Sequence, residues 1–247
     1  MPELKADLHI HTSDDEVDYR LIRYSTEQAI AAAQGQGFQV IAVTNHRRPT
    51  VTSEQMACAR DQGLVLLVGV EAELFHRHVL VIGPGGQFKP PASFADLRAM
   101  RADGYLVMAP HPFYPSPFAL HGLLEQHADA FDAVEFCHFY SRYLNPNHRA
   151  VAFAARNGKP LVGTSDMHAA WQLGKTYSLI QSEPTPEAII AAVKAGRVRV
   201  VTQPLTLGIY LQGFLFKVVR DLFWNIPYYL LVTPRRGSRG RPRFPRG

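Results

Sequence analysis

Three observations predict an α/β barrel of alternating strands and helices. Short apolar or β-branched runs recur from the N-terminus to about residue 200, and most are followed by a segment of helical periodicity and by turn residues such as Gly, Asn or Pro. One run, Gly63-Leu64-Val65-Leu66-Leu67-Val68-Gly69-Val70, is apolar throughout, as a strand covered on both faces must be. Acids and imidazoles gather at the C-terminal ends of the runs, the face on which such a barrel carries its site.

Taken in order, Ala6 to Thr12 alternates apolar Leu8 and Ile10 with polar Asp7, His9 and His11, which predicts a strand with its polar side chains on one face. A polar loop carrying Asp14, Asp15, Glu16 and Asp18 leads to a helix capped by Ser25 or Thr26 and running to Gln36. Phe38 to Thr44 is a β-branched strand delivering Asn45 and His46, and a helix over Ser53 to Gln62 precedes the strand that ends at Glu71. A single strand is expected over Glu73 to Ile82, with His76 and His78 in it, then a Gly/Pro loop and a helix from Ser93 to Ala102. Tyr105 to Ala109 is a strand entering Pro110-His111-Pro112, Phe118 to His127 reads as a helix, and Phe131 to Phe136 is a strand ending near Glu135, Cys137 and His138. The helix Asn145 to Asn157 stops at Gly158, a strand from Lys159 to Gly163 runs into Thr164-Ser165-Asp166-Met167-His168, and Thr176 to Ile180 with the helix Pro186 to Ala195 closes the pattern.

With 247 residues, 47% of them hydrophobic, one main domain over residues 4–203 can bury a substantial core. Residues 204–233 form an aromatic-rich amphipathic extension, too often interrupted by polar residues for a membrane span, and 234–247 an arginine-rich tail with too little apolar content to fold. The net charge of +5 belongs to that tail: from Arg235 onward there are six arginines and no acid, and the remainder holds 20 basic against 21 acidic residues. Two readings of the extension stand side by side, packing on the barrel exterior or lying on an anionic membrane surface, whereas nucleic-acid binding by the tail alone would be non-specific and salt-sensitive. Cys58 and Cys137 lie far apart and no leader precedes Asp7, so the expected setting is a reducing cytoplasm, peripheral to the membrane on the second reading.

The candidate ligands for a metal are Asp7, His9, His11, His46, Glu71, His78, His111, His138, Asp166 and His168. Each alone has a mundane alternative: His9 and His11 as surface residues of an edge strand, His46 as a helix cap, His78 in a core, His111 in a turn. Their coincidence at strand ends points instead to a divalent ion, and imidazole with carboxylate suits zinc, iron(II) or manganese(II). Arg47, Arg48, Arg142 and Lys175 are loop cations near these positions that could grip a phosphate.

The order Asp-x-His-x-His, Thr-x-His, Gly-x-Glu, a later His, His-Pro and Ser-Asp-x-His resembles the PHP family, named for polymerase and histidinol phosphatase. The resemblance spans about residues 4 to 203. It implies a distorted seven-stranded (β/α) barrel that holds two or three divalent ions (zinc, manganese or iron) and hydrolyses phosphate esters. Carried over by position, His9, His11 and Asp166 would hold one ion, Glu71 would bridge two, His78 and His111 would hold the second, and His46 with His168 would complete a third site. Asn45 stands where the family has Asp, and Asp14 or Asp15 stands where three-metal relatives have another histidine.

Two such ions about 3.5–4 Å apart could hold a bridging hydroxide as nucleophile. Glu71 would set their spacing, and His168 or His46 would protonate the leaving group. The expected substrate is a small phosphomonoester, a nucleotide or an oligonucleotide end. The alternatives are a nuclease acting on nucleic-acid ends, and a non-catalytic metal-stabilised scaffold associated with a membrane.

Overall fold

The computed structural model describes residues 1–220, and the chain divides into two units, Met1–Leu205 and Thr206–Gly247. In the first unit, β1 (Glu3–Ile10), β2 (Val40–Val43) and β3 (Val65–Leu74) run parallel, and β4 (Arg77–Gly83) returns antiparallel beside β3. β5 (Leu106–Ala109) lies antiparallel to β4 and parallel to β6 (Ala133–Cys137), which is parallel to β7 (Leu161–Thr164). On the other flank β8 (Thr176–Gln181) is antiparallel to β1, and β9 (Val198–Thr202) to β8. The sheet order is thus β7-β6-β5-β4-β3-β2-β1-β8-β9, and β1, β2, β3, β5, β6 and β7 all point their C-terminal ends to one face.

The sheet curls until its two flanks meet. Ser178 on β8 donates its hydroxyl to the Gly163 carbonyl (3.0 Å) and accepts from the Gly163 N–H (2.9 Å), which ties β7 to β8. Only glycine fits at this seam, because a Cβ on Gly163 would stand 2.6 Å from the Tyr177 carbonyl oxygen. The result is the nearly closed, distorted α/β barrel that the sequence leads one to expect, with β4 and β8 as antiparallel members.

Helices α1 (Thr26–Gly35), α2 (Ser53–Asp61), α3 (Phe94–Ala102), α4 (Gly122–Gln126), α5 (Asn147–Arg156) and α6 (Pro186–Lys194) connect the strands. Capping boxes start α1 at Ser25 and α2 at Thr52, while Ser93 and Thr185 accept from the first-turn amides of α3 and α6. The strands alternate between two environments. Leu8, Leu67, Leu80, Met108, Val162 and Ile180 share a cluster with Ile189, Ile190 and Val193 of α6, whereas Ile41, Val43, Leu66 and Val68 pack with Ile30 of α1 and Ala59 of α2.

Three local expectations change. Glu73 to Ile82 is not one strand: β3 runs on to Leu74, Phe75 and His76 turn with φ of 51° and 61°, and β4 starts at Arg77. The apolar alternation continues on both sides of this turn and no Gly or Pro marks it. The helix expected over Phe118 to His127 shrinks to Gly122–Gln126, since His121 at φ 47° cannot continue a helix. Val198–Thr202 adds a strand that the sequence reading did not separate from the end of the domain.

The second unit contains α7 (Leu207–Arg220), on which Leu207, Ile209, Leu211, Phe214, Leu215 and Val219 are exposed. The expected aromatic turn and arginine-rich tail lie outside the described residues. Among the described residues, no helix is long and apolar enough to cross a membrane.

Candidate metal centre

At the C-terminal face a direct link between β1 and the end of β7 builds the site. The Met167 N–H donates to the His9 carbonyl (3.2 Å) and the His11 N–H to the Met167 carbonyl (3.1 Å), so Asp166 and His168 are placed beside His9 and His11. A second bridge, His46 to Glu71, sets the ends of β2 and β3 side by side. Asp166 and His111 sit at φ 45° and 27°, a strained backbone for residues with side chains and one that recurs at functional sites.

Four donor atoms converge in the first half of the cluster. His9 Nε2 is 3.6 Å from Glu71 Oε2 and 3.3 Å from Asp166 Oδ1, and His11 Nε2 is 3.3 Å and 3.5 Å from the same two oxygens. Ligands about 2.0–2.2 Å from a tetrahedral ion stand about 3.3–3.6 Å from one another, so the spacing fits. The two Nε2 atoms lie only 3.0 Å apart, while each Nδ1 faces a carboxylate, Glu135 at 2.7 Å and Asp15 at 2.8 Å. With both Nδ1–H groups donating, the two Nε2 lone pairs confront each other, an arrangement that a cation between them relieves. Asp166 Oδ1 is buried without a hydrogen bond, which gives the same indication.

The other oxygen of Glu71 serves the second half. Oε1 is 2.8 Å from His78 Nδ1 and 3.2 Å from His111 Nε2, and Oε2 is 3.0 Å from His46 Nε2. His78 Nδ1 is close to Oε1 yet lacks hydrogen-bond alignment, another buried donor atom left open. Glu71 thus turns Oε1 to His78 and His111 and Oε2 to His9, His11 and His46, so both of its oxygens face imidazoles.

Charge reinforces this picture. Burial disfavours ionised forms throughout, yet Asp166, Glu135 and Glu71 hold the His9 pKa well above the ordinary imidazole value, and Asp15, Asp166 and Glu71 do the same for His11. His46 likewise overcomes its burial through Asp15 and Glu71 and rises to about 9. Burial opposes ionisation of Glu71 and Asp166 as well, but the surrounding imidazoles hold both well below the ordinary carboxylate range. The cluster demands positive charge, which protons or metal can supply.

Not every expected ligand joins. Leu8 belongs to the inner cluster and Ile10 to the outer one, and the β1–β2 register shifts between Asp7 and Ile10, so strict alternation breaks there. Asp7 lies in none of the candidate ligand groups, although its Oδ2, like Asp166 Oδ1, is buried without a hydrogen bond. Its Oδ1 accepts from the His9 and Ser165 N–H groups, and burial pushes its pKa up to about 7. His138 also stands apart: the Gln172 amide donates to its Nε2 (2.9 Å), and burial lowers its pKa to about 4. His168 lies within ligating reach of His11 and Asp166, but its Nε2 meets Asp18 at 3.0 Å. His11, Asp15 and His46 also lie within ligating reach of one another. Asn45 turns away from the centre, accepting from the Thr12 N–H and donating to the Thr12 and Thr50 hydroxyls.

Of the loop cations, Arg48 pairs with Glu16, Arg142 is exposed, and Arg47 and Lys175 are half-buried. Three residues escaped sequence reasoning as parts of the site: Glu135 behind His9, Asp18 behind His168, and Gln172, which accepts from the His168 N–H at 2.8 Å. Glu135 carried one legible signal, a charge set between the apolar Ala133-Val134 and Phe136-Cys137.

Fold and site together define an α/β barrel with a metal-competent histidine and carboxylate centre at its C-terminal face. Residues 145–198 match a family model described as PHP-associated. A two-domain protein from Bacteroides vulgatus containing a predicted PHP-like metal-dependent phosphoesterase superposes with a TM-score of 0.61 at 17% identity, over 87% of this chain and 70% of that one. PsfC from Pseudomonas syringae gives 0.57 at 16% identity over 90% and 99%, and an amidohydrolase from Chromobacterium violaceum with bound sulfate and no metal gives 0.53 at 15% over 78% and 97%. No curated protein matches the sequence. The fold is thus similar to that of PHP-like structures, and residues 145–198 match the PHP-associated model.

Proposed function

We propose that this protein is a metal-dependent phosphoesterase. The observation that carries the reading is Glu71, whose Oε2 faces His9, His11 and His46 while its Oε1 faces His78 and His111. His9, His11, Asp166 and Glu71 would hold one divalent ion, and His46, His78, His111 and Glu71 a second, with zinc, manganese or iron as the fitting metals. Such ions, when bound, neutralise phosphate oxygens and activate water at neutral pH.

The remaining work falls to the chain itself. Glu135 and Asp15 fix the imidazole tautomers by accepting from Nδ1, as second partners of metal-bound histidines do. His168 is half-buried where His46 is buried, and its Nε2 faces Asp18, which makes it the more accessible candidate for proton donor to the leaving oxygen. Arg47, Arg48, Arg142 and Lys175 are the candidate grips for phosphate, Arg48 being paired with Glu16.

The rim favours a particular body for the ester. In the first unit the exposed aromatic side chains are Tyr19, Phe75, Tyr143 and Trp171, and all four lie on loops that follow the C-terminal ends of β1, β3, β6 and β7. Exposed flat rings on the loops of that face suit nucleobases, whose stacking contributes on the order of 1–3 kcal/mol each. A nucleotide or oligonucleotide end is therefore the preferred substrate class. The deciding assay is turnover of nucleotides, short oligonucleotides, simple phosphomonoesters and amides with manganese or zinc and after chelation. Metal-dependent release of phosphate supports the reading, and amide hydrolysis without phosphate-ester hydrolysis overturns it.

For the second unit, exposed Leu207, Leu211, Phe214 and Leu215 recur at i, i+4, i+7 and i+8 on α7, and six arginines follow from Arg235 onward. This combination supports contact with an anionic membrane surface. Full-length protein that fails to sediment with anionic vesicles at low salt removes that assignment.

A further inference from the structure

The carboxylate of Asp15 is already fully committed. Its Oδ1 accepts from the Val17 and Asp18 N–H groups, each at 2.8 Å. Its Oδ2 accepts from His11 Nδ1 (2.8 Å), His46 Nδ1 (2.8 Å) and the His46 N–H (2.9 Å). An ionised carboxylate offers about four lone-pair sites, and five donors already surround this one. The side chain is buried, so these contacts are not shared with bulk solvent.

The imidazoles it holds are committed in turn. With Nδ1 on Asp15, His11 has only Nε2 left, and that atom lies with His9, Glu71 and Asp166. His46 likewise has only Nε2 left, directed at Glu71 beside His78. A third ion would have to draw on His168, whose Nδ1 meets the Asp166 carbonyl (2.9 Å) and whose Nε2 meets Asp18 (3.0 Å).

We propose that Asp15 is a positioning residue that clamps two histidines, one for each half of the cluster, and that the centre of this protein holds two ions and not three. The inference rests on the reading of the cluster as a metal centre, but not on the reaction it performs. One carboxylate oxygen shared by two imidazoles fixes both tautomers and aims both Nε2 atoms inward. It thereby couples the two halves: disturbing Asp15 weakens both ions together. A ligand to a separate third ion would instead affect that ion first.

The experiment is equilibrium binding of manganese or zinc to the full chain, with bound metal counted by elemental analysis after removal of excess. Wild-type protein is expected to bind two equivalents. Asp15→Asn is expected still to bind two at saturation, with both dissociation constants raised about 10- to 100-fold, the usual effect of removing an outer carboxylate from a metal-bound histidine. Three equivalents in the wild type, falling to two in Asp15→Asn, overturn the proposal. Should the variant fail to fold, anomalous scattering from metal-loaded wild-type crystals decides: two peaks with Asp15 bonded to neither support the clamp, and a peak bonded to Asp15 Oδ2 refutes it. Two bound ions without phosphate-ester hydrolysis would leave the clamp standing and remove the proposed activity.

Discussion

Removing metal should invert the usual response of this protein to pH. His46 has a folded-state pKa raised to about 9 against 6.5 for an unperturbed imidazole. Between those values the folded metal-free chain keeps a proton that the unfolded chain has lost, so the associated stability is present in full below pH 6.5 and disappears as pH rises through 9. At about 1.4 kcal/mol per pKa unit, His46 alone accounts for about 3 kcal/mol. His9 and His11 are raised as well and add in the same direction. The low pKa values of Glu71 and Asp166 act only in acid, outside this window. For a domain of this size each kcal/mol corresponds to about 2–4 °C, so chelated protein should lose roughly 6–12 °C in Tm between pH 6.5 and 9. Loaded protein should behave oppositely, since ions displace these protons and bind more tightly as pH rises. Thermal unfolding followed by circular dichroism across this range, with chelator and with manganese, makes the comparison. A chelated protein whose Tm is flat or rising from pH 6.5 to 9 would refute the reasoning.

The other predictions concern single side chains. Glu71→Gln should lower phosphoesterase turnover by about 100-fold or more, since outer-sphere changes already cost 10–100-fold, while far-ultraviolet dichroism stays unchanged; near-normal turnover at full metal occupancy would contradict the bridging role. Asn45→Asp should leave metal stoichiometry unaltered and cost about 1–3 kcal/mol in denaturant unfolding, because a carboxylate cannot donate to the Thr12 and Thr50 hydroxyls; a gain in metal affinity would place the residue at the centre after all. Gly163→Ala should destabilise the barrel by about 1–3 kcal/mol, the typical cost of overpacking, given the 2.6 Å approach to the Tyr177 carbonyl; an unchanged Tm would show that the seam can relax.

Much of this centre was legible because metal chemistry uses few residue types and a barrel delivers them from strand ends. His9, His11, Glu71, His78, His111 and Asp166 could each be placed from the strand that precedes or carries them. The register shift between Asp7 and Ile10 could not be read from sequence, since it is a backbone irregularity inside an apparently regular alternation. Asp15 and Asp18 were indistinguishable from Asp14 and Glu16 in the same acidic loop, yet the first two are buried and the last two exposed. What selects them is the path of the loop over His11, His46 and His168, which no local pattern records. His138 stands at the strand end expected of it, and the Gln172 amide that donates to its Nε2 comes from a segment 34 residues further on, which no local pattern links to it.

The link between β1 and the end of β7 shows how the barrel and its centre depend on each other. At the far end β8 separates these strands, and the seam with β7 is held by Ser178 and Gly163. At the site end the backbones of His9, His11 and Met167 join directly, so closure of the barrel and the approach of Asp166 to His9 and His11 are one event. Before closure the imidazoles on β1 and the carboxylate after β7, an edge strand, lie far apart in the sheet, and neither strand alone offers a complete set of donors. An ion bound between them therefore favours the closed form by the full difference in its affinity for the two states. Conversely, the buried carboxylates that make the metal-free centre need protons would supply the attraction for an ion placed across the seam.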